Sequence, residues 1–355
     1  MKEEGTKKAT KEQLDYLYNN MGETISSMYP SFLKSIILYN KLSSIKADFD
    51  NKDLLIYAVR VYYQIIYSYL DIVTIFRSEL KAVSTWEKRI QLKYVYVVLT
   101  ETIKALFGFK VNKQTLWKKF CDNAGGVVED EDRITINQHI EKFKIKHLNS
   151  VTKNFRDYAV HYDCDPLKVY EFWQVLSEQK EIDIINDYYA LSLEILSLVE
   201  KVFGNNIAVI GCDSLDGPVS PSFAFWEKVN SFSDKDGRLL RRMQIGVETH
   251  VTSLDSLVRT YRIPNKAERR CGFDTITMQM RSFLEAFHPV MLLHFIYIDI
   301  GCVIIAYLNS KYYIEKQLNL RHLNVIVYEG FKKLYGFGSD LVGENNNTIY
   351  NVPRK

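Results

Sequence analysis

The sequence predicts an all-α protein, on three observations. Long stretches carry apolar residues at helical spacing. Helix breakers are sparse, with 16 glycines and 7 prolines in 355 residues. A third observation is that one helical stretch is restated later in the chain. Residues 67–110 align without a gap to residues 295–338, at a constant offset of 228. Tyr69 meets Tyr297, Asp71 meets Asp299 and Ile72 meets Ile300. Glu87-Lys88 meets Glu315-Lys316, and Leu92 meets Leu320. The run from Lys104 to Phe109 returns as Lys332 to Phe337, including the terminal Gly-Phe.

The first copy is expected over residues 11–205. Its helices fall near 11–40, 53–77, 86–107, 134–147 and 167–203. Gly108 has the position of a left-handed stop after the third of these. Residues 110–132 read as a polar connection. They contain Gly125-Gly126 and an acidic run, Glu129 to Asp132, expected as a solvated loop. Residues 204–221 mix Gly, Pro, Asn and Ser and read as a linker. The second copy is expected over 222–340. Its helices at 283–307 and 315–335 correspond to the second and third of the first copy, so the duplication is incomplete or degenerate.

Composition narrows the class. Hydrophobic residues make up 47% and charged residues 25%, which is the balance of a folded soluble chain. A net charge of +3 does not by itself mark a nucleic-acid binder, so any basic surface is local. The five cysteines, Cys121, Cys164, Cys212, Cys271 and Cys302, contain no CxxC pair. That speaks against a zinc ribbon or a disulfide framework and fits a reducing cytoplasm. Residues 54–76 and 289–307 are apolar enough to raise a membrane question. They carry Arg60, Gln64 and Asp71, and His294 and Asp299, so buried core helices and a cytoplasmic protein are expected. His139 and His147, with Glu141 between them, lack HExxH spacing, and no metal site or cofactor is expected. Asp71 and Asp299 recur amid apolar helices and are expected to have a structural partner, such as a tyrosine hydroxyl or a helix N-terminus.

The chemistry concentrates in Arg156-Asp157-Tyr158-Ala159-Val160-His161. On a helix the arginine and histidine lie a little over one turn apart and can lean toward one site. Arginine offers a fixed fork of donors to a phosphate, and histidine moves a proton near neutral pH. A plainer alternative pairs Arg156 with Asp157 or Asp163 on a helix face, with His161 half-buried.

The stretch from Asn154 to Asp163 resembles the signature of the HEPN superfamily. There an arginine, a polar residue and a histidine lie near the start of a late helix in a helical bundle. Arg156, Asp157 and His161 fit it, and the resemblance covers about residues 11–203. It implies two tandem HEPN-like bundles, the second without the motif. It also implies a metal-independent endoribonuclease of a toxin–antitoxin or antiviral defence type. His161 would be general acid or base, Arg156 the phosphate binder and Asp157 their orienting carboxylate. Tyr162, Lys88, Arg89 and Lys93 are the candidate RNA-binding residues, although a solvated helix face is the plainer reading of the three cations. The implied partners are RNA, a second copy in a homodimer or an internal pseudodimer, and an antitoxin or other defence-system protein. Since some members of the superfamily are inactive, a non-catalytic module binding RNA, a nucleotide or a partner protein is the alternative.

Overall fold

A computed structural model describes residues 10–45, 51–108, 114–151, 166–176, 178–205, 237–271 and 278–335. It is all-helical over these residues, apart from one isolated bridge between Gly125 and Val128. The helices are α1 (Lys11–Ser44), α2 (Lys52–Lys81), α3 (Thr85–Leu106), α4 (Leu116–Asn123) and α5 (Asp130–Val151). They continue as α6 (Pro166–Val175), α7 (Glu178–Asn205), α8 (Arg238–Cys271), α9 (Met278–Asn309) and α10 (Tyr313–Tyr335).

Local chemistry sets the helix ends. Thr10 caps α1 in a reciprocal box, its hydroxyl accepting from the Gln13 amide while the Gln13 side chain accepts from Thr10 N–H at 2.9 Å. Gly108 ends α3 with φ +66°, and its N–H donates to the Ile103 carbonyl at 3.0 Å, as expected of a left-handed stop. Three local expectations fail. The acidic run is not a loop, because Asp130, Glu131 and Asp132 form the first turn of α5. Carboxylates there face the positive end of the helix dipole. Within the supposed polar connection, α4 forms because Thr115 caps it, accepting from the Lys118 amide at 3.2 Å, and Trp117 and Phe120 are buried. The single helix expected over 167–203 is two, α6 and α7.

The restated segment has restated geometry. α2 ends at Lys81 and α9 at Asn309, while α3 begins at Thr85 and α10 at Tyr313, each pair at the offset of 228. In the first turn Ala82 N–H donates to the Glu79 carbonyl at 3.0 Å; in the second, Ser310 N–H donates to that of Tyr307 at 3.2 Å. Glu87 accepts from Val83 N–H at 2.9 Å, and its counterpart Glu315 accepts from Lys311 N–H at 2.8 Å. Both glutamates are buried, so each carboxylate clamps the turn leading into its helix. Burial recurs at Asp71 and Asp299, Gln91 and Asn319, and Tyr94 and His322.

The chain divides into two compact units whose segments interleave. One comprises residues 1–82, 101–143 and 186–218; the other comprises 83–100, 144–185 and 219–355. These units do not coincide with the expected 11–205 and 222–340. In the first unit, Phe32 of α1 stacks on Tyr63 and Tyr67 of α2 at 5.2 and 5.4 Å between centroids. Tyr188 of α7 bonds Ser68 of α2 at 2.6 Å, and burial pushes the Tyr188 phenol up to about 12. In the second unit, fully buried Trp173 of α6 meets Phe295 of α9 edge-on at 4.8 Å. Among the described residues one helix segment, Ala286–Asn309, is long and apolar enough to cross a membrane, but most of it is buried inside the protein.

Candidate functional site

Arg156, Asp157, His161 and Tyr162 lie outside the described residues, on the segment between α5 and α6. What the structure describes is the framework on either side of that segment. On the far side α6 is pinned to the N-terminal part of α3. Trp86 meets Trp173 edge-on at 6.0 Å and Tyr170 at 5.9 Å, and Tyr96 meets Phe172 at 6.4 Å. The Arg89 guanidinium donates to the Gln174 amide oxygen at 2.7 Å. Tyr170 donates to Asp255 of α8 at 2.8 Å, and Arg262 of α8 pairs with Glu171 at 3.2 Å. Pro166, the first residue of α6, is buried. α6, the helix that follows in sequence, is therefore held by aromatic packing and by three polar contacts.

The three basic residues expected to meet RNA behave differently. Lys88 and Arg89 are half-buried on α3, and Arg89 is committed to Gln174. Lys93 is 0% exposed and pairs with Asp299 of α9, so it belongs to the core and not to a surface stripe. That placement removes Lys93 from the residues an RNA phosphate can reach. The physical reason is that α9 and α6 cover this face of α3; the Lys93 ammonium also sits 4.5 Å from the Trp173 ring centre.

Around Lys93 lies a buried polar cluster. Tyr94 donates to Asp299 at 2.9 Å, which is the tyrosine partner expected for that carboxylate. Gln91 donates to the Cys302 carbonyl at 3.4 Å. Tyr94 stacks on His322 of α10 at 4.5 Å between ring centres, with planes 3° apart. Burial pushes the His322 imidazolium well below its ordinary pKa, with the adjacent Arg321 acting in the same direction. Arg321 lies 3.1 Å from His322 Nε2, so a neutral ring accepts there. Burial also lowers the pKa of the Lys93 ammonium, opposed by Asp299, and raises that of the Cys302 thiol. These groups hold helices together and are closed to a substrate. Sequence reasoning missed Tyr94 and His322, although their equivalence under the repeat was readable.

Other histidines form pairs. His250 of α8 lies 2.8 Å from His294 of α9, Nδ1 to Nδ1, and stacks on Tyr297 at 3.8 Å. Burial lowers the pKa of both histidines, and for His294 the neighbouring His250 adds to it. His139 bonds Glu194 at 2.7 Å, and His147 is buried. Among the described residues no group of three or more His, Cys, Asp or Glu side chains is placed to hold a metal ion. Comparison of the chain with protein families, curated proteins and solved structures finds no match.

Proposed function

We propose that the chain is a cytoplasmic, metal-independent endoribonuclease of the HEPN-like kind, acting in defence or as a toxin. It would be built from two tandem bundles, 11–205 and 222–340, with the Arg–His element in the first alone. The observation that carries this reading is the restated hairpin, together with the meeting of Tyr94 and His322. Residues at equivalent positions touch each other where two copies pair about a two-fold axis. Pairing of copies is also how the resembled superfamily usually assembles its site. In this reading His161 takes the proton from an RNA 2'-hydroxyl or gives one to the leaving 5'-oxygen. Arg156 binds the scissile phosphate and stabilises its developing charge. Asp157 orients one of the two. The 2'-oxygen bonds to phosphorus as the bond to the 5'-oxygen breaks, leaving a 2',3'-cyclic phosphate and a 5'-hydroxyl. With one motif per chain, two motifs face each other only in a homodimer.

The test is cleavage of a mixed RNA pool by purified protein in EDTA, beside Arg156→Ala and His161→Ala. The expected outcome is cleavage by the wild type, cyclic phosphate ends, and a loss of at least about 100-fold in each variant. Equal behaviour of three folded proteins would overturn the assignment and favour the binding module.

A further inference from the structure

The two restated hairpins, α2–α3 and α9–α10, differ in what covers their outer faces. In the first, α7 lies along α2. Tyr188 bonds Ser68 at 2.6 Å, Tyr189 meets the Tyr69 ring at 5.3 Å, and Phe203 meets Tyr62 at 6.2 Å. These contacts run α7 antiparallel to α2. The stripe that α7 turns inward is Ile184, Tyr188, Leu191, Ile195, Leu198 and Val202, all buried and at helical spacing.

At the offset of 228, Tyr62, Ser68 and Tyr69 correspond to Val290, Ile296 and Tyr297. There the face is open. Leu293 is 46% exposed where its counterpart Ile65 is 2% exposed, and Phe331 is 52% exposed where Ile103 is 2% exposed. Val290, Tyr297 and Val327 are exposed as well. These residues form one patch, because α10 rests on α9 at its centre: a Cβ at Gly330 would lie 3.0 Å from Ile296. Leu293 and Tyr297 flank Ile296 on α9, and Val327 and Phe331 flank Gly330 on α10. Tyr94 reaches both Asp299 and His322, which marks the inner side of the hairpin; the helical turn sets the patch on the other side. A contiguous apolar surface of this kind marks a binding face.

Charge and occupancy define what fits it. α8 borders the patch and runs antiparallel to α9, with His250 stacked on Tyr297 at 3.8 Å and Tyr261 bonded to His288 at 2.9 Å. Exposed Arg242, two turns before His250, therefore lies toward the C-terminal end of α9. Lys316 of α10 lies at that end too, its ammonium 5.7 Å from the Tyr307 ring centre. A helix laid on α9 as α7 lies on α2 brings its N-terminal half to these two cations. In α7 that half carries Asp183 and Asp187. The α7 of a second copy is not free to fill the place, because its own α2 engages it.

We propose that the outer face of α9 and α10 docks an amphipathic helix of another protein, one built on the α7 pattern. Its apolar residues, three and four apart, meet Leu293, Tyr297, Val327 and Phe331, and its acidic N-terminal half meets Arg242 and Lys316. None of these residues belongs to the Arg–His segment, so docking is read apart from any cleavage.

The probe is a fluorescein-labelled peptide of residues 178–205, titrated with the full chain and followed by anisotropy. Saturable binding at micromolar concentration is expected. Leu293→Asp and Phe331→Asp should each weaken it about tenfold or more, since each sets a carboxylate against an apolar contact. Arg242→Glu should weaken it severalfold, as should high salt. Arg242→Glu serves where an aspartate variant has a lowered melting temperature. A peptide carrying Leu191→Asp and Ile195→Asp should not bind. No saturable binding up to about 100 μM overturns the proposal. So does binding that is unchanged in the three protein variants, because the peptide is then exchanging with α7 in its own seat. Sedimentation of the chain without peptide decides the remaining occupant. A dimer that Leu293→Asp and Phe331→Asp dissociate gives the face to a second copy and overturns the docking of a foreign helix.

Discussion

Lys93 shows how much of a residue's role is hidden from its sequence neighbourhood. With Lys88 and Arg89 it makes a basic cluster on one helix, which reads as a surface for phosphates. The residue that claims it, Asp299, lies 206 positions away. Burying two ions is costly, and their attraction offsets the cost only while both are present. Lys93→Met is therefore expected to destabilise the protein by about 3–5 kcal/mol, because it strands the Asp299 carboxylate in the core. Lys93→Met combined with Asp299→Leu should recover most of that loss. Urea denaturation of the two single variants and the double variant measures the coupling. Strictly additive losses would show that the two groups do not depend on each other. That Asp299 needs a donor was legible, since a carboxylate recurring amid apolar helices does; a tyrosine hydroxyl was one of two donors expected, and Tyr94 supplies it. The lysine partner was not legible, because a positive charge on an amphipathic helix has the same local signature whether its face is wet or covered.

Helices α2, α3, α9 and α10 were legible because period, caps and repetition agreed. α4 is eight residues long, too short for its apolar period to stand out from a polar stretch. The break between α6 and α7 has no glycine or proline at Leu176-Ser177 to mark it. Close approaches between helices were not readable either, because a glycine inside a helix does not say what lies opposite. Gly301 of α9 is such a place: a Cβ there would meet Cγ2 of Val247 on α8 at 2.5 Å. Val247 is buried and β-branched, so it has few rotamers into which to retreat. Gly301→Ala should cost about 1–3 kcal/mol through overpacking, despite alanine's better helix propensity. Val247→Ala in the same chain should relieve that cost. The check is the thermal midpoint of each variant; a stabilised Gly301→Ala would show that α8 yields freely.

At the scale of the whole molecule, the linker-like composition of residues 204–221 suggested a cut between independent domains. The compact units do not follow that cut. Residues 83–100 of α3 and 144–185 belong with 219–355, while α3, α5 and α7 each contribute to both units. The reason is visible in what α9 and α10 bury. Asp299 needs Lys93 and Tyr94, Phe295 needs Trp173, and His322 needs the Tyr94 ring. All of these partners precede the linker. A fragment of residues 222–355 would expose an unpaired aspartate and several aromatic faces, and the hydrophobic area left to it would not offset its chain entropy. Such a fragment should lack a cooperative thermal transition and show poor amide dispersion in an NMR spectrum. The full chain should unfold in one transition, because a helix shared between units couples their melting. Co-expression of 1–215 with 222–355 as separate chains should restore a folded complex, since the contacts are non-covalent. A fragment 222–355 that melts cooperatively alone would instead place the domain boundary in the linker, and the buried pairs to α3 and α6 would then be docking contacts between two self-sufficient folds.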